Sequence, residues 1–350
     1  MELAINIAEK ARGLCNPNPN VGAVIVKKNK IIGQGYTLSY GSDHAEIQAI
    51  KNCNENPKDA DLYVTLEPCS HYGKTPPCTE SIIKAGIKNV YAGIQDPNPK
   101  VKGKGFTSLK EAGIKTNYPF FEKEISKQLE VYLHWIQYKK PFVIMKNAVS
   151  LDGKIAAENG DSKWITSETS RKKVHELRQE ADAVLTTINT LLKDDPLLNV
   201  RLEDKKRDPI RIILDPKLEI PYNSQIYKTI KEQTTIIFFD KDLPIKHSLD
   251  AIPVSCKNNF LDFNEILSIL ADKNITSIMV EAGPTLNSYL LKNNYVNKLY
   301  YFIAPKIIGG TKNVYHDLDI LRLENQLKIH EVDIKIFGSD ILVSGYLKVN

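Results

Sequence analysis

The chain has 350 residues, room for two domains that each bury a core, and its net charge of +5 is spread over scattered lysines. Its apolar and charged fractions are those of an ordinary soluble protein, and five cysteines at irregular spacing make a poor disulfide framework that fits a reducing compartment. The start lacks the basic-then-apolar order of a signal peptide, no apolar run approaches a membrane span and no Lys/Arg block forms a nucleic-acid tail, so a cytoplasmic protein is expected.

Leu3, Ile7, Ala8 and Ala11 share one helical face, with Gly13 where a C-cap falls. The β-branched run Val21 to Val26 predicts a strand, and Ile31 to Tyr36 its hairpin partner. A helix is expected from His44 to Asn52, with Ser42 and Asp43 as candidate caps and Glu46 completing a capping box with Asp43. Strands over Leu62–Leu66 and Val90–Ile94 alternate with helices over Thr79–Ala85 and Gly105–Ala112, which predicts a mostly parallel sheet covered by helices. Glu122 to Lys139 reads as one longer helix ending at Lys139-Lys140-Pro141, where the domain boundary is placed: residues 1–141, then 142–350. Alternation restarts with strands over Phe142–Asn147, Ala183–Thr187, Ile210–Leu214, Thr235–Phe239, Ser277–Glu281 and Leu299–Ile303. Helices are expected over Arg171–Glu180 and Asn264–Ala271. Neither half carries a G-x-G-x-x-G dinucleotide fingerprint.

The chemistry concentrates in the first half. His44 opens one predicted helix, Cys69 follows a strand and Cys78 opens another helix. One imidazole and two thiolates are three ligands for Zn²⁺, and a zinc with three protein ligands keeps a place for water. A helix N-terminus favours the thiolate that a metal needs. Glu46, two residues after His44, is placed to move protons. Zinc deaminases of nucleobases use this set, with the glutamate as general acid and base. Their usual pattern has two residues between the cysteines, whereas eight (Ser70 to Pro77) intervene here, so the longer loop is expected to contact substrate. Cys15, Cys53 and Cys256 read as buried apolar side chains.

Five ordered motifs carry a resemblance: Pro17-Asn18-Pro19-Asn20-Val21-Gly22, His44-Ala45-Glu46, Thr65-Leu66-Glu67-Pro68-Cys69-Ser70-His71, Gly73-Lys74-Thr75-Pro76-Pro77-Cys78 and Gln95-Asp96-Pro97-Asn98-Pro99. The second half continues with KNAVSLDGK (146–154), Trp164-Ile165-Thr166-Ser167, Asp194-Asp195-Pro196, Asn199-Val200-Arg201, Glu281-Ala282-Gly283-Pro284-Thr285 and Ala304-Pro305-Lys306. Together they resemble the bifunctional riboflavin-biosynthesis deaminase/reductase family, whose own cysteine spacing includes the longer loop. The resemblance implies a cytidine-deaminase-like three-layer α/β/α domain followed by a dihydrofolate-reductase-like α/β domain. It also implies two activities. The first is zinc-dependent deamination of 2,5-diamino-6-ribosylamino-4(3H)-pyrimidinone 5′-phosphate. The second is NADPH reduction of the ribosyl group of the product to ribityl.

Carried over by motif, His44, Cys69 and Cys78 hold zinc and Glu46 shuttles protons. Asn20, Lys74, Asp96 and Asn98 face the deaminase substrate. Ala148, Trp164, Thr190, Asp194 and the run Gly283, Pro284, Thr285, Leu286, Asn287, Ser288 and Tyr289 line the NADPH site. Ser162, Leu198, Arg201 and Glu281 hold the reductase substrate, with Lys146 and Asp152 as neighbours of the reacting ribose. A guanidinium such as that of Arg201 suits a phosphate, and backbone N–H groups at the helix start after Gly283 suit phosphate oxygens. Relatives of this kind usually have threonine where Cys15-Asn16 precede Pro17; the change touches no ligand. A homo-oligomer is expected from the resemblance, without nucleic-acid or membrane partners. Two other readings start from the same zinc site. A tRNA base deaminase leaves about two hundred C-terminal residues without a role. A non-enzymatic zinc-stabilised binding module needs a fourth ligand, for which His71 is the nearby residue.

Overall fold

A computed structural model describes residues 1–244, 251–316, 318 and 320–347. The chain divides into two units, Met1–Lys140 and Pro141–Asn350. In the first, α1 (Glu2–Ala8) precedes the hairpin of β1 (Gly22–Lys27) and β2 (Lys30–Tyr36). The hairpin turns on Lys28 and Asn29, with φ of 48° and 61°, the left-handed pair that matches the strand twist. α2 (Ala45–Lys51) leads to β3 (Asp61–Leu66), and α3 (Cys78–Lys84), β4 (Asn89–Ile94), α4 (Lys104–Glu111) and β5 (Lys115–Asn117) follow. The sheet order is β2-β1-β3-β4-β5.

The sheet corrects one expectation. β1 runs antiparallel to both neighbours, and only β3, β4 and β5 are parallel. The hairpin forces the first reversal, and the β2–α2–β3 crossover straddles β1 and imposes the second.

The pleat sends alternate side chains to opposite faces. Val24 packs on Ala4 and Ile7 of α1. Ala23 and Ile25 belong to the core that includes Ala45 and Ala49 of α2. α2 rests directly on β2, because a Cβ at Gly35 would lie 2.5 Å from the Ala49 backbone nitrogen. The predicted long helix is two, α5 (Glu122–Gln128) and α6 (Glu130–Tyr138). They meet at Leu129, whose φ of −94° and ψ of 11° bend the chain while its amide still bonds to the Ile125 carbonyl.

The second unit runs β6 (Phe142–Ser150), α7 (Glu168–Glu180), β7 (Ala183–Thr187), α8 (Ile188–Asp194), β8 (Ile210–Leu214), α9 (Gln225–Lys228), β9 (Thr235–Asp240) and β10 (Ala251–Val254). The short pair β11 (Cys256–Lys257) and β12 (Phe260–Leu261) precedes α10 (Phe263–Asp272), β13 (Ser277–Val280), α11 (Pro284–Lys292), β14 (Lys298–Ala304), β15 (His330–Phe337) and β16 (Asp340–Tyr346). The nine-stranded order is β10-β9-β8-β7-β13-β6-β14-β16-β15, parallel from β10 to β14 and antiparallel through β16 and β15. The central β13 is buried at all four residues, as a parallel strand covered on both faces must be. The hairpin of β15 and β16 was not foreseen. Its outer strand alternates apolar and polar residues from Val332 to Ile336, the strand period, but leaves the apolar set, Val332, Ile334 and Ile336, exposed.

Candidate active sites

His44 occupies the N-cap position of α2, in extended backbone. This displaces the expected capping box: Asp43 lies outside the helix and accepts instead from Lys51 (2.6 Å) and Gln48 (2.7 Å). Glu46 is therefore in the second helical position and turns inward. Cys78 is the first residue of α3, and Cys69 follows β3 by three residues.

His44 Nδ1 lies 3.3 Å from Cys78 Sγ and 3.6 Å from Cys69 Sγ. The three donor atoms all lie within 4.8 Å of one another. A tetrahedral zinc, with about 2.0–2.1 Å to nitrogen and about 2.3 Å to sulfur, sets such donors roughly 3.5 Å apart, so the residues fit the ion. The Cys69 thiol is held down to about 4, first by its hydrogen bond with Cys78 and then, against burial, by its bond with His44. The Cys78 thiol is pushed up by the same partnership. The pair thus shares a proton and presents at least one thiolate. Among the described residues, His71 is not part of this group.

Glu46 is 4% exposed. Burial raises its pKa to about 7, against the pull of the His44 charge. A carboxyl poised there can both take and give a proton near neutrality.

A cavity of about 280 Å³ adjoins these groups and is lined by His44, Glu46, Cys69, Lys74, Asp96 and Asn98, among others. The long inter-cysteine loop supplies His71, Gly73, Lys74 and Thr75 to its wall. Lys74 stacks its ammonium 4.0 Å from the Tyr40 ring centre. Asp96 is buried and accepts from the Asn98 amide (2.9 Å) and, through both oxygens, from the Tyr132 hydroxyl at 3.0 Å. Burial lifts its pKa to about 6. Asn20 does not line the cavity, but its side-chain nitrogen is buried without a protein partner. Cys15 is fully buried and donates to the Asn18 carbonyl at 3.3 Å, so it lies beneath the Pro17–Val21 rim.

In the second unit a cleft of about 880 Å³ gathers Ala148, Ser162, Trp164, Thr190, Asp194, Leu198, Arg201, Glu281 and the Gly283–Leu286 start of α11, with Tyr289. Trp164 is 61% exposed, which makes it wall rather than core, and the Arg171 guanidinium stacks 4.5 Å from its ring. A Cβ built on Gly283 meets nothing within 4 Å, so the helix start opens onto empty cleft. Space of this size beside an unobstructed helix N-terminus suits a dinucleotide. Asn287 and Ser288 are placed differently. Both are buried in α11; Asn287 donates to Asn147 and the Ala282 carbonyl, and Ser288 accepts from the His316 amide.

Glu281 has a side chain only 13% exposed and forms a fork with Arg178, Nε to Oε1 at 2.6 Å and Nη2 to Oε2 at 3.1 Å. Lys146 adds a contact at 3.4 Å. Burial would raise the carboxyl, but these two charges outweigh it and hold it at about 2. Asp152 points elsewhere, accepting from Ser150 and from the Ile308 and Gly309 amides. Arg178 was missed in the sequence. Its signal was a charge on the Val174–Leu177 apolar stripe of a helix.

A family model described as the cytidine and deoxycytidylate deaminase zinc-binding region matches residues 1–94, and one described as the RibD C-terminal domain matches 141–343. The riboflavin biosynthesis protein RibD of Aquifex aeolicus is 41% identical over 98% of this chain and 96% of its own length. The chain belongs to the RibD family. A solved structure of Acinetobacter baumannii RibD aligns with a TM-score of 0.88 at 33% identity, covering 99% of this chain and 97% of that one. A diaminohydroxyphosphoribosylaminopyrimidine deaminase/5-amino-6-(5-phosphoribosylamino)uracil reductase from Thermotoga maritima aligns at 0.87 and 35% identity, with the same coverage. The expected fold class holds: a cytidine-deaminase-like unit precedes a dihydrofolate-reductase-like one. As a RibD family member the chain is a deaminase and a reductase of riboflavin biosynthesis, with zinc and NADPH as cofactors. The C-terminal match gives the last two hundred residues the role that a tRNA deaminase leaves open. No helix among the described residues is long and apolar enough to cross a membrane.

Proposed function

We propose that the first unit deaminates 2,5-diamino-6-ribosylamino-4(3H)-pyrimidinone 5′-phosphate and that the second reduces the ribosyl group of the product to ribityl. The observation that carries this reading is the convergence of His44, Cys69 and Cys78 beside the buried Glu46, in one cavity with Lys74, Asp96 and Asn98. Zinc bound by the three donors supplies a water activated near neutral pH. Glu46 takes one proton from the attacking water and gives it to the ring nitrogen. It then takes the second from the new hydroxyl and gives it to the departing amine, so that the water's oxygen stays as the carbonyl and ammonia leaves. Lys74 meets the phosphate, while Asp96 and Asn98 pair with the pyrimidine edge or ribose.

In the cleft, NADPH supplies the hydride. Gly283, Pro284 and Thr285 present the open start of α11 to its phosphates, and Ala148, Trp164, Thr190, Asp194, Leu286 and Tyr289 line its bed. Asn287 and Ser288 brace that helix from behind. Ser162, Leu198 and Arg201 hold the substrate. Glu281 fixes Arg178 and Lys146 beside it rather than standing alone.

We further propose a cytoplasmic homo-oligomer joined through the second unit, without nucleic-acid partners. Edge strand β15 exposes Val332, Ile334 and Ile336 at 51%, 64% and 76%, an apolar row of the kind that partners cover. Light scattering on the intact chain checks it.

The activity test is ammonia release from the pyrimidine phosphate, with tRNA as the competing substrate, followed by one NADPH oxidised per ammonia. Release from tRNA alone sinks the reading. X-ray absorption is expected to count two sulfurs and one imidazole on zinc; a second imidazole sinks the open site.

A further inference from the structure

Four backbone N–H groups in the segment that carries Asp96 and Asn98 converge on one buried carboxylate. Glu67 Oε2 accepts from Asp96 (3.1 Å) and Gly103 (3.0 Å), and Oε1 accepts from Gly105 (3.0 Å) and Phe106 (3.4 Å). Glu67 is 3% exposed and lies two residues before Cys69, on the cavity wall. The first turn of α4 has no side-chain cap of its own, and helix starts leave N–H groups without intrahelical partners. Glu67 satisfies those of Gly105 and Phe106 from 38 and 39 residues away. Gly105 makes room for this approach: a Cβ there would lie 2.1 Å from the Pro68 carbonyl oxygen and 3.1 Å from Glu67 Oε1.

We infer that Glu67 is a positioning residue for the deaminase substrate. It clamps the Asp96–Asn98 loop and the start of α4 onto the strand end that leads to Cys69, and so sets the distance between the substrate-holding groups and the metal ligands. The inference rests on the deaminase reading above. A carboxylate is required because all four partners donate and only an ionised carboxylate accepts at both oxygens without donating. An amide turns one pair of N–H groups against an NH₂ group.

The test is Glu67→Gln in the intact, zinc-loaded chain, with Glu67→Asp alongside it. Deaminase kinetics, zinc content, reductase kinetics and amide hydrogen exchange are read on each. Glu67→Gln is expected to raise the deaminase KM by roughly tenfold or more, since Asp96 and Asn98 bind ground and transition states alike, and to change kcat less. Zinc content and reductase rate stay at wild-type values, and exchange at the Asp96, Gly103 and Gly105 amides accelerates. Glu67→Asp keeps the charge and is expected to show a smaller rise in KM. It carries the test if the amide variant does not fold. A wild-type KM in the folded variants, or loss of zinc and kcat together without a rise in KM, overturns the inference. Failure of the wild-type chain to deaminate the pyrimidine phosphate overturns the functional reading instead.

Discussion

Two enclosed carboxylates, one in each unit, end at opposite protonation behaviour. Glu46 rises to about 7 because burial outweighs the His44 charge. Glu281 falls to about 2 because Arg178 and Lys146 outweigh its burial. On the proposed reading the first carries protons in a small cavity. The second is a fixed anion that orients two cations along an open cleft. Burial alone therefore does not tell what a carboxylate does; the charges that share its enclosure do.

Glu46→Gln breaks the comparison at its most sensitive point. The amide keeps the shape and loses the proton, so deamination is expected to fall on the order of 10³- to 10⁴-fold. Zinc content and NADPH oxidation with pre-deaminated substrate stay unchanged. Loss of zinc from this variant would make Glu46 a ligand. In the other unit, Arg178→Met leaves the Glu281 carboxylate facing Lys146. Removing one member of an enclosed pair typically costs about 3–5 kcal/mol. A urea midpoint followed through reductase loss is expected to drop accordingly while deamination holds. An unchanged midpoint would mean that the pair is solvated.

These groups differ in how readable they were. His44, Glu46, Cys69 and Cys78 sit in short motifs at element ends, where the sequence itself names the chemistry. Most strands of both units announced themselves through β-branched runs, but β5, β10 to β12 and the β15–β16 hairpin did not. Arg178 meets Glu281 across 103 residues, and Glu67 meets Gly105 across 38; no local period encodes such pairs. Strand order is hidden for the same reason, which is why the antiparallel pairing of β1 with β3 was missed. Asn287 and Ser288 show a different limit: within the run from Gly283 to Tyr289 they sit on the buried face of α11, while residues 283–286 and 289 line the cleft, a distinction the motif does not mark.

Asp96 is an intermediate case, lifted to about 6 by burial although Tyr132 and the Asn98 amide donate to it. Tyr132→Phe removes the hydroxyl that touches both its oxygens. A hydrogen bond to a charged group is worth about 1.5–3 kcal/mol, so the deaminase KM is expected to rise about tenfold, with Asp96 pushed further upward. Steady-state kinetics at neutral pH decide it. An unchanged KM would remove Asp96 from the substrate side of the cavity.

The smallest effect is a slope. His175 packs against the same cationic cluster and accepts from the Arg201 amide at 3.3 Å. Burial first, then the charges of Arg178 and Arg201, lower its pKa to about 4. The unfolded chain, with histidine near its ordinary 6.5, binds more protons below that pH than the folded one. The contribution is therefore present above 6.5 and is lost as pH falls toward 4. Glu281, whose folded value is also depressed, adds its own loss only below its ordinary 4.5, so the interval between 4.5 and 6.5 separates the histidine from the carboxylate. In that interval the urea stability of the second unit is expected to decline with acid in the wild type. It should decline less in His175→Asn, whose amide oxygen can still accept from Arg201. Equal slopes in the two proteins would mean that His175 is already charged in the fold, and that the cluster around Glu281 is less cationic than its geometry requires.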